Sequence, residues 1–413
     1  MTRDGRLNLA WNTRAVRIQN RIDALASITD ETGMITRTFL SPAMQKANRI
    51  VAEWMQEAGL APAEDRVGNL LGQSPAEPGA SVFLLGSHLD SVRNAGRYDG
   101  PLGVVLAIEA VDILRSNRVE LPFSLAVAGF SDEEGVRFQN AYTGSKAFCG
   151  LLTPNELEIP DRDGVTLREL LEPGFVLSGP TLPVSGMIGY LEVHIEQGPV
   201  LEHRGIPLGV VTAIAGQSRF RLTWTGKASH AGTTPAPLRR DALCGAATFI
   251  REVEGASEKF TDLMATVGQL YVEPNVSNVV PGRVVHSLDL RHQEDSVRNE
   301  ASSWLAQRAD ELVAARQLAC AWETLQVTEA KRCDAELSRR LLKAVETVTG
   351  SACQLPSGAG HDAAILAVLF PVAMLFVRCR DGLSHHPDEF VSLEDIRAAL
   401  QATVEFLSSW ESI

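Results

Sequence analysis

The sequence predicts an α/β protein interrupted by an inserted α+β domain, and three observations carry this. Short, nearly continuous apolar runs, "VFLLG" (82–86) and "FSLAVAGFS" (123–131), flank a helical stretch, "GVVLAIEAVDILRSN". Such runs suit strands covered on both faces, and strand–helix–strand is the unit of an α/β sheet. From about residue 214 the pattern changes to alternation of apolar and polar residues, as in "SRFRLTWTGKA"; this is what a sheet with one free face requires. After about residue 330 helix, strand and helix return. With 413 residues the chain exceeds one typical domain. We therefore expect one α/β domain over 1–213 and 329–413, and an inserted α+β domain over 214–328.

In chain order, residues 12–28 and 42–58 read as amphipathic helices. The second opens with Ser41-Pro42, an N-cap and N1 pair, and stops at Gly59. Strand 82–86, the helix after it and strand 123–131 follow, and then "IGYLEVHIEQG" (188–198) as a further strand. In the insert, "PLRRDALCGAATFIREVEGAS" and "DSVRNEASSWLAQRADELVAARQ" read as two helices. "SRFRLTWTGKA", "DLMATVGQLYVEP", "GRVVHSLDLRH" and "LACAWETLQVTEA" read as about four strands. "DAELSRRLLKAVETVTG", "VAMLFVR" and "SLEDIRAALQATVEFLSSW" close the chain as helix, strand and helix.

The apolar fraction of 45% is ordinary for a chain that buries a large core. The formal charge of −13 disfavours nucleic acid and anionic membranes as partners. The N-terminal stretch carries no apolar core of signal-peptide type, and no run reaches the roughly 18 apolar residues of a spanning helix. The cysteines are scattered without a CxxC pair. These features predict a soluble, cytoplasmic protein with free thiols.

In open α/β sheets, sites form at the carboxyl ends of strands. His88 and Asp90 follow "VFLLGS", with Asp99 in the next loop. Asp132, Glu133 and Glu134 follow "LAVAGFS". His194 and Glu196 lie late in "YLEVHIEQG", and His385 and His386 follow "MLFVRCRDGLS". Taken singly, each is as well explained as a structural histidine, a solvated turn or a helix cap. Several apolar strands each ending in His or a carboxylate make a different case. Mixed His and carboxylate donors suit zinc, manganese or cobalt.

The stretches "GSHLDSV", "GRYDGPLGV", "FSDEEGVRFQ", "HIEQGPVLE", "HAGTTP", "SNVVPG", "SGAGHDA" and "SHHPDE" run in order over most of the chain. As a set they resemble the two-metal amidohydrolases of the M20 metallopeptidase superfamily. The similarity is greatest to the ureido-cleaving branch of allantoate amidohydrolases and N-carbamoyl-L-amino-acid hydrolases. The resemblance implies a zinc-peptidase-like catalytic domain with a ferredoxin-like lid and dimerisation insert, and two divalent ions per subunit (zinc or manganese, with cobalt or nickel also acceptable). It implies that His88 and His194 hold one ion, Glu134 and His385 the other, and Asp99 bridges them. Asp90 would orient His88, and Glu133 would be the general base. His385 takes the ligand position, with His386 where the family often has Asn. In the insert, His230 would reach across a homodimer interface to stabilise the oxyanion. Gln217, Asn278 and Arg291 would bind substrate, Arg291 as a carboxylate clamp; read alone it is equally a strand-end arginine in a surface ion pair. Gly358, Ala359 and His361 would lie near the substrate carboxylate, although His361 is equally readable as a buried structural histidine.

His194 and the following Gln197 match the ureido-cleaving members rather than the peptidases. The expectation is therefore hydrolysis of a ureido C–N bond in a small carboxylate substrate, allantoate first. An N-carbamoyl-L-amino-acid hydrolase or β-ureidopropionase is the runner-up, and a dipeptidase or acylase comes after it. A metal-free binding protein of this fold is a rival of another class. The complete donor set argues against it.

Overall fold

The computed structural model describes residues 3–75, 79–171 and 186–410, with side chains from residue 11 onward. The strands are β1 (Ala61–Glu64), β2 (Leu70–Gln73), β3 (Val82–His88), β4 (Ser124–Phe130), β5 (Met187–Ile195), β6 (Leu208–Ile214), β7 (Gly216–Thr225), β8 (Ser229–His230), β9 (Met264–Thr266), β10 (Leu270–Glu273), β11 (Val279–Val280), β12 (Arg283–His292), β13 (Ala319–Thr328), β14 (Lys331–Arg332), β15 (Gln354–Ser357) and β16 (Val372–Val377). The helices are α1 (Arg3–Ala26), α2 (Pro42–Glu57), α3 (Pro101–Ser116), α4 (Thr143–Phe148), α5 (Pro154–Leu157), α6 (Leu167–Leu170), α7 (Val200–Arg204), α8 (Ala242–Lys259), α9 (Asp295–Arg316), α10 (Ala335–Thr349), α11 (Asp362–Leu366) and α12 (Leu393–Ser408).

The chain forms two compact units. One comprises Met1–Thr212, Cys333–Leu355 and His361–Ile413; the other comprises Ala213–Arg332 and Pro356–Gly360. The spacing places the insert at 214–328. The second unit also takes in 356–360, because Ala215 N–H bonds to the Ser357 carbonyl (2.9 Å) and Arg291 to the Gly358 carbonyl (2.7 Å).

In the first unit the sheet runs β1-β2-β4-β3-β5-β16-β6, with β15 beside β6. The four central strands, β4, β3, β5 and β16, are parallel. They are apolar on both faces, and β3, β4 and β16 are buried along their whole length. The core that covers them includes Leu85, Val105, Ile108, Leu191, Leu375, Leu400 and Phe406. Helix α3 is buried from Pro101 to Leu114. Its apolar residues go all round the helix, as expected where no face meets water. Strand β2, buried over Leu70–Gly72, and the exposed β1 extend the sheet antiparallel at its edge.

In the second unit a five-stranded antiparallel sheet runs β10-β12-β7-β13, with β9 on β12. The stretch 262–274, expected as one strand, is two, β9 and β10, with the chain passing through Val267–Gln269 between them. Alternate residues of β12 are buried. Leu222, Trp224, Leu288 and Leu290 meet Phe249 of α8 and Leu305 of α9 in one core. The opposite face carries Gln217, Arg219, Asp289 and Arg291. Helix α8 starts at Ala242 rather than at the expected Pro237. Asp241 accepts the Leu243 and Cys244 N–H groups and so sets the helix start. The six cysteines form no disulfide, and no described helix is long and apolar enough to cross a membrane.

Candidate metal centre

The four parallel strands end side by side, and each ends in or leads to a histidine or carboxylate able to hold a metal ion. β3 delivers His88, and its loop returns Asp99. The turn after β4 carries Glu133 and Glu134. β5 carries His194, and the loop after β16 carries His385. The register explains the first contact. Gly86 of β3 pairs with Glu192 of β5, so two residues further on His88 faces His194. Their Nε2 atoms lie 3.4 Å apart.

Each of these imidazoles is held by its other nitrogen. His88 Nδ1 faces the Asp90 carbonyl at 3.1 Å, and His194 Nδ1 faces the Ile195 carbonyl at 2.9 Å. A carbonyl accepts, so the proton sits on Nδ1 and each Nε2 presents a lone pair. Both lone pairs face Asp99 Oδ1, 3.2 Å from each. That buried oxygen receives no hydrogen bond. Three atoms able to donate electron pairs converge here, an arrangement that fits a cation. His385 forms the other side. Its Nε2 lies 3.2 Å from Glu134 Oε1 and 3.5 Å from Asp99 Oδ2. Donor atoms fall into three overlapping groups, His88–Asp99–His194, His88–Glu133–Glu134 and Asp99–Glu134–His385. Asp99 belongs to two of them.

Burial sets the electrostatics. It works against charge on His88, but Asp99, Glu133 and Asp90 more than offset it and hold the imidazole well above its usual range. A pocket that favours a proton there favours a metal cation for the same reason. Burial would raise Asp99, yet His194 and His88 keep it well below the usual carboxylate range. Glu133 is pushed well above its ordinary value by burial, with Glu134, Asp362 and Asp90 adding to the effect and His88 opposing it. His385 is raised to about 9, chiefly by its hydrogen bond to Glu134.

The backbone is bent to fit. Gly100 has φ +83°, and a Cβ there would lie 2.4 Å from His88 Cε1. Only glycine lets the loop return Asp99 so close to the imidazole. Asp132 and His385 both take left-handed backbone, φ 56° each. Asp132 serves the turn, accepting from the Thr143 hydroxyl, as its position at a strand end allowed. Asp90 meets His88 through its main chain and the β4 turn through its side chain. Its backbone carbonyl takes Nδ1, while its carboxylate accepts the N–H groups of Glu133 (3.1 Å) and Glu134 (3.2 Å). It therefore joins the β3 and β4 loops.

His386, the neighbour of His385, turns away: its Nδ1 accepts the Asp388 N–H at 3.2 Å. Glu196, grouped with the strand-end candidates, accepts the Val200 and Leu201 N–H groups at the start of α7. His361 is buried, with its ring 4.6 Å from that of His194. Burial and the neighbouring His194 hold it well below its usual pKa, so it is a neutral imidazole. Three residues of the centre carried no assigned role in the sequence. Gln197 donates to Asp99 Oδ2 at 2.7 Å, and the Ser384 hydroxyl donates to the same oxygen. Arg37, fully buried, donates to the Leu89 carbonyl between His88 and Asp90. Their motifs, "HIEQG", "GLSHHP" and "TRTFL", are visible in the chain; their partners are not.

In the second unit, Asp289 gathers the other candidates. Arg291 gives it two parallel bonds of 3.0 Å, Gln217 one of 2.8 Å and Arg219 one of 3.2 Å. The Arg291 fork thus rests on an internal carboxylate, the geometry such a fork suits best. Gly358 contributes its carbonyl to Arg291, and Ala359 N–H bonds to Ser357 Oγ. Elsewhere in this unit His230 lies opposite Val279 in the β8–β11 pair, next to Asn278, whose carbonyl accepts the Ala231 N–H. His230 Nδ1 accepts the Gly232 N–H at 3.1 Å, which leaves the proton on an exposed Nε2.

The profile of peptidase family M20/M25/M40 matches residues 84–409. The allantoate deiminase of Arabidopsis thaliana is 38% identical, over 94% of this chain and 81% of its own. The N-carbamoyl-L-amino acid amidohydrolase of Geobacillus stearothermophilus is also 38% identical, over 96% of this chain and 98% of its own. A solved amidase of the hydantoinase/carbamoylase family from Burkholderia multivorans aligns with a TM-score of 0.90 at 31% identity, covering 97% of this chain and 98% of its own.

Proposed function

The chain belongs to peptidase family M20/M25/M40, and from that premise we propose that it is a binuclear-metal amidohydrolase cleaving the ureido C–N bond of a small carboxylate substrate, allantoate first. The observation that carries this reading is the meeting of His88, Asp99, Glu134, His194 and His385 beside buried Glu133. Four carboxylates (Asp90, Asp99, Glu133 and Glu134) balance two divalent charges. The nitrogen and oxygen donors suit zinc or manganese, and cobalt or nickel would also be accepted.

When bound, the ions polarise the ureido carbonyl and acidify water. Glu133 takes the proton of the attacking water and hands it to the leaving nitrogen, so ammonia departs and the carbamate loses carbon dioxide. His230 presents an Nε2–H donor suited to the oxyanion. Arg291, exchanging Asp289 for the substrate carboxylate, is the clamp, with Gln217, Asn278 and the Gly358–Ala359 segment around it. Neutral His361 offers a hydrogen bond rather than a charge. In this reading the insert is a ferredoxin-like lid and dimerisation domain, and His230 serves the partner subunit's site.

Both curated relatives are equally similar, so the substrate is decided by rate. Ammonia release by the manganese-reconstituted protein is expected to show a higher kcat/KM for allantoate than for N-carbamoyl-L-methionine or N-carbamoyl-β-alanine. A preference for either carbamoyl compound would transfer the assignment to that substrate. Turnover of dipeptides alone would overturn ureido cleavage altogether.

The trans role of His230 has its own test. Refolding a mixture of Glu133→Gln and His230→Ala chains is expected to restore about a quarter of wild-type activity, since half of the dimers are mixed and each holds one intact site. A mixture no more active than its parents would place His230 within its own subunit's chemistry or outside it.

A further inference from the structure

We propose that Glu389 is a positioning residue for Asp99, acting through the backbone rather than on the metal. The inference rests on the metal-centre reading above. Glu389 follows His385 in the same loop, and its own N–H bonds to the His386 carbonyl at 3.0 Å. Its side chain is buried, 3% exposed. One carboxylate oxygen, Oε1, accepts two consecutive backbone N–H groups, that of Tyr98 at 2.6 Å and that of Asp99 at 3.1 Å. This paired acceptor fixes the peptide that carries the bridging carboxylate. It also ties the loop of Asp99 to the loop of His385, whose ring nitrogen lies 3.5 Å from Asp99 Oδ2.

The far wall of this contact is Gly96. A Cβ at that position would lie 2.3 Å from Glu389 Cδ, 2.4 Å from its Cβ and 2.5 Å from its Oε1. The loop therefore closes on the glutamate only because residue 96 has no side chain. The carboxylate lies against two loop amides and no donor atom of the centre, which separates its role from that of a ligand. Positioning groups of this kind typically account for about 10–100-fold in metal affinity.

Calorimetric titration of chelator-treated protein with Mn²⁺ alone tests this. Glu389→Ala and Gly96→Ala are expected to weaken manganese binding by about 10–100-fold. Glu389→Gln, whose amide oxygen can still accept both N–H groups, stays close to wild type. A purely structural role would lower the apo melting temperature without changing the manganese-induced rise in it, so that rise is measured alongside. Wild-type affinity in Glu389→Ala would overturn the proposal. So would a Gln variant as weak as the alanine variant, since charge rather than the paired acceptor would then be responsible. If Glu389→Ala does not fold, Glu389→Gln against Gly96→Ala carries the same comparison. A wild-type protein that takes up no manganese would instead overturn the metal-centre reading, and this inference with it.

Discussion

Glu133→Gln is expected to lower kcat by about 10²–10⁴-fold, with metal content and melting temperature unchanged. The size of the effect follows from what the substitution removes. Gln matches Glu in volume, so the buried position keeps its packing. The turn that holds it is braced by backbone, not by the side chain: the Glu133 and Glu134 N–H groups both bond to the Asp90 carboxylate. Only the proton acceptor is lost. Burial and three acidic neighbours push the Glu133 carboxyl well above its ordinary range, which makes it a stronger base than a surface glutamate. Steady-state kinetics with the best substrate, beside elemental analysis of the same sample, checks the prediction. Undiminished kcat with metal bound would remove Glu133 from the mechanism.

Asp99→Asn is expected to cost more than about 100-fold in metal affinity, exceeding the effect of any group that merely orients a ligand. Asp99 Oδ1 stands between the Nε2 atoms of His88 and His194, and Oδ2 faces His385. Removing its charge leaves two imidazole nitrogens 3.4 Å apart without the carboxylate oxygen that lies 3.2 Å from each. The amide also offers an N–H₂ group where Gln197 and Ser384 already donate. Metal content after gel filtration should fall below that of the wild type, and activity with it. A variant that kept two ions per chain and wild-type kcat/KM would show that Asp99 does not bridge. Chelation of the wild type is the companion experiment. It should abolish turnover, and manganese or zinc should restore it.

Much of this centre was legible in the chain because its donors close apolar runs. "VFLLGSH" suits a covered strand, and its closing histidine gains meaning because three other apolar runs close in the same way. Glu196 also closes a strand, and it takes the other reading open to a strand-end acid, accepting the first N–H groups of α7. Strand-end position says where a side chain is delivered, not what it meets. Periodicity likewise found the long elements and passed over β1, β2 and β6, and it merged β9 with β10. β1 and β2, of four residues each, carry too few for a period to show.

What the sequence determined by itself is the supply of chemistry: which donors exist, which strands carry them, and that glycine stands at 96 and 100. Tertiary structure decided which donors meet. The register of β3 against β5 sets His88 opposite His194, and no local pattern encodes that pairing. Asp99 takes bonds from Gln197 and Ser384, 98 and 285 residues away, and its loop is held by Glu389 from 290. Arg291 rests on Asp289 two residues before it, the ion pair that the sequence left open beside the clamp. Hydrogen bonds act over about 3 Å of space, and sequence order fixes that distance only within a helix turn or a tight loop.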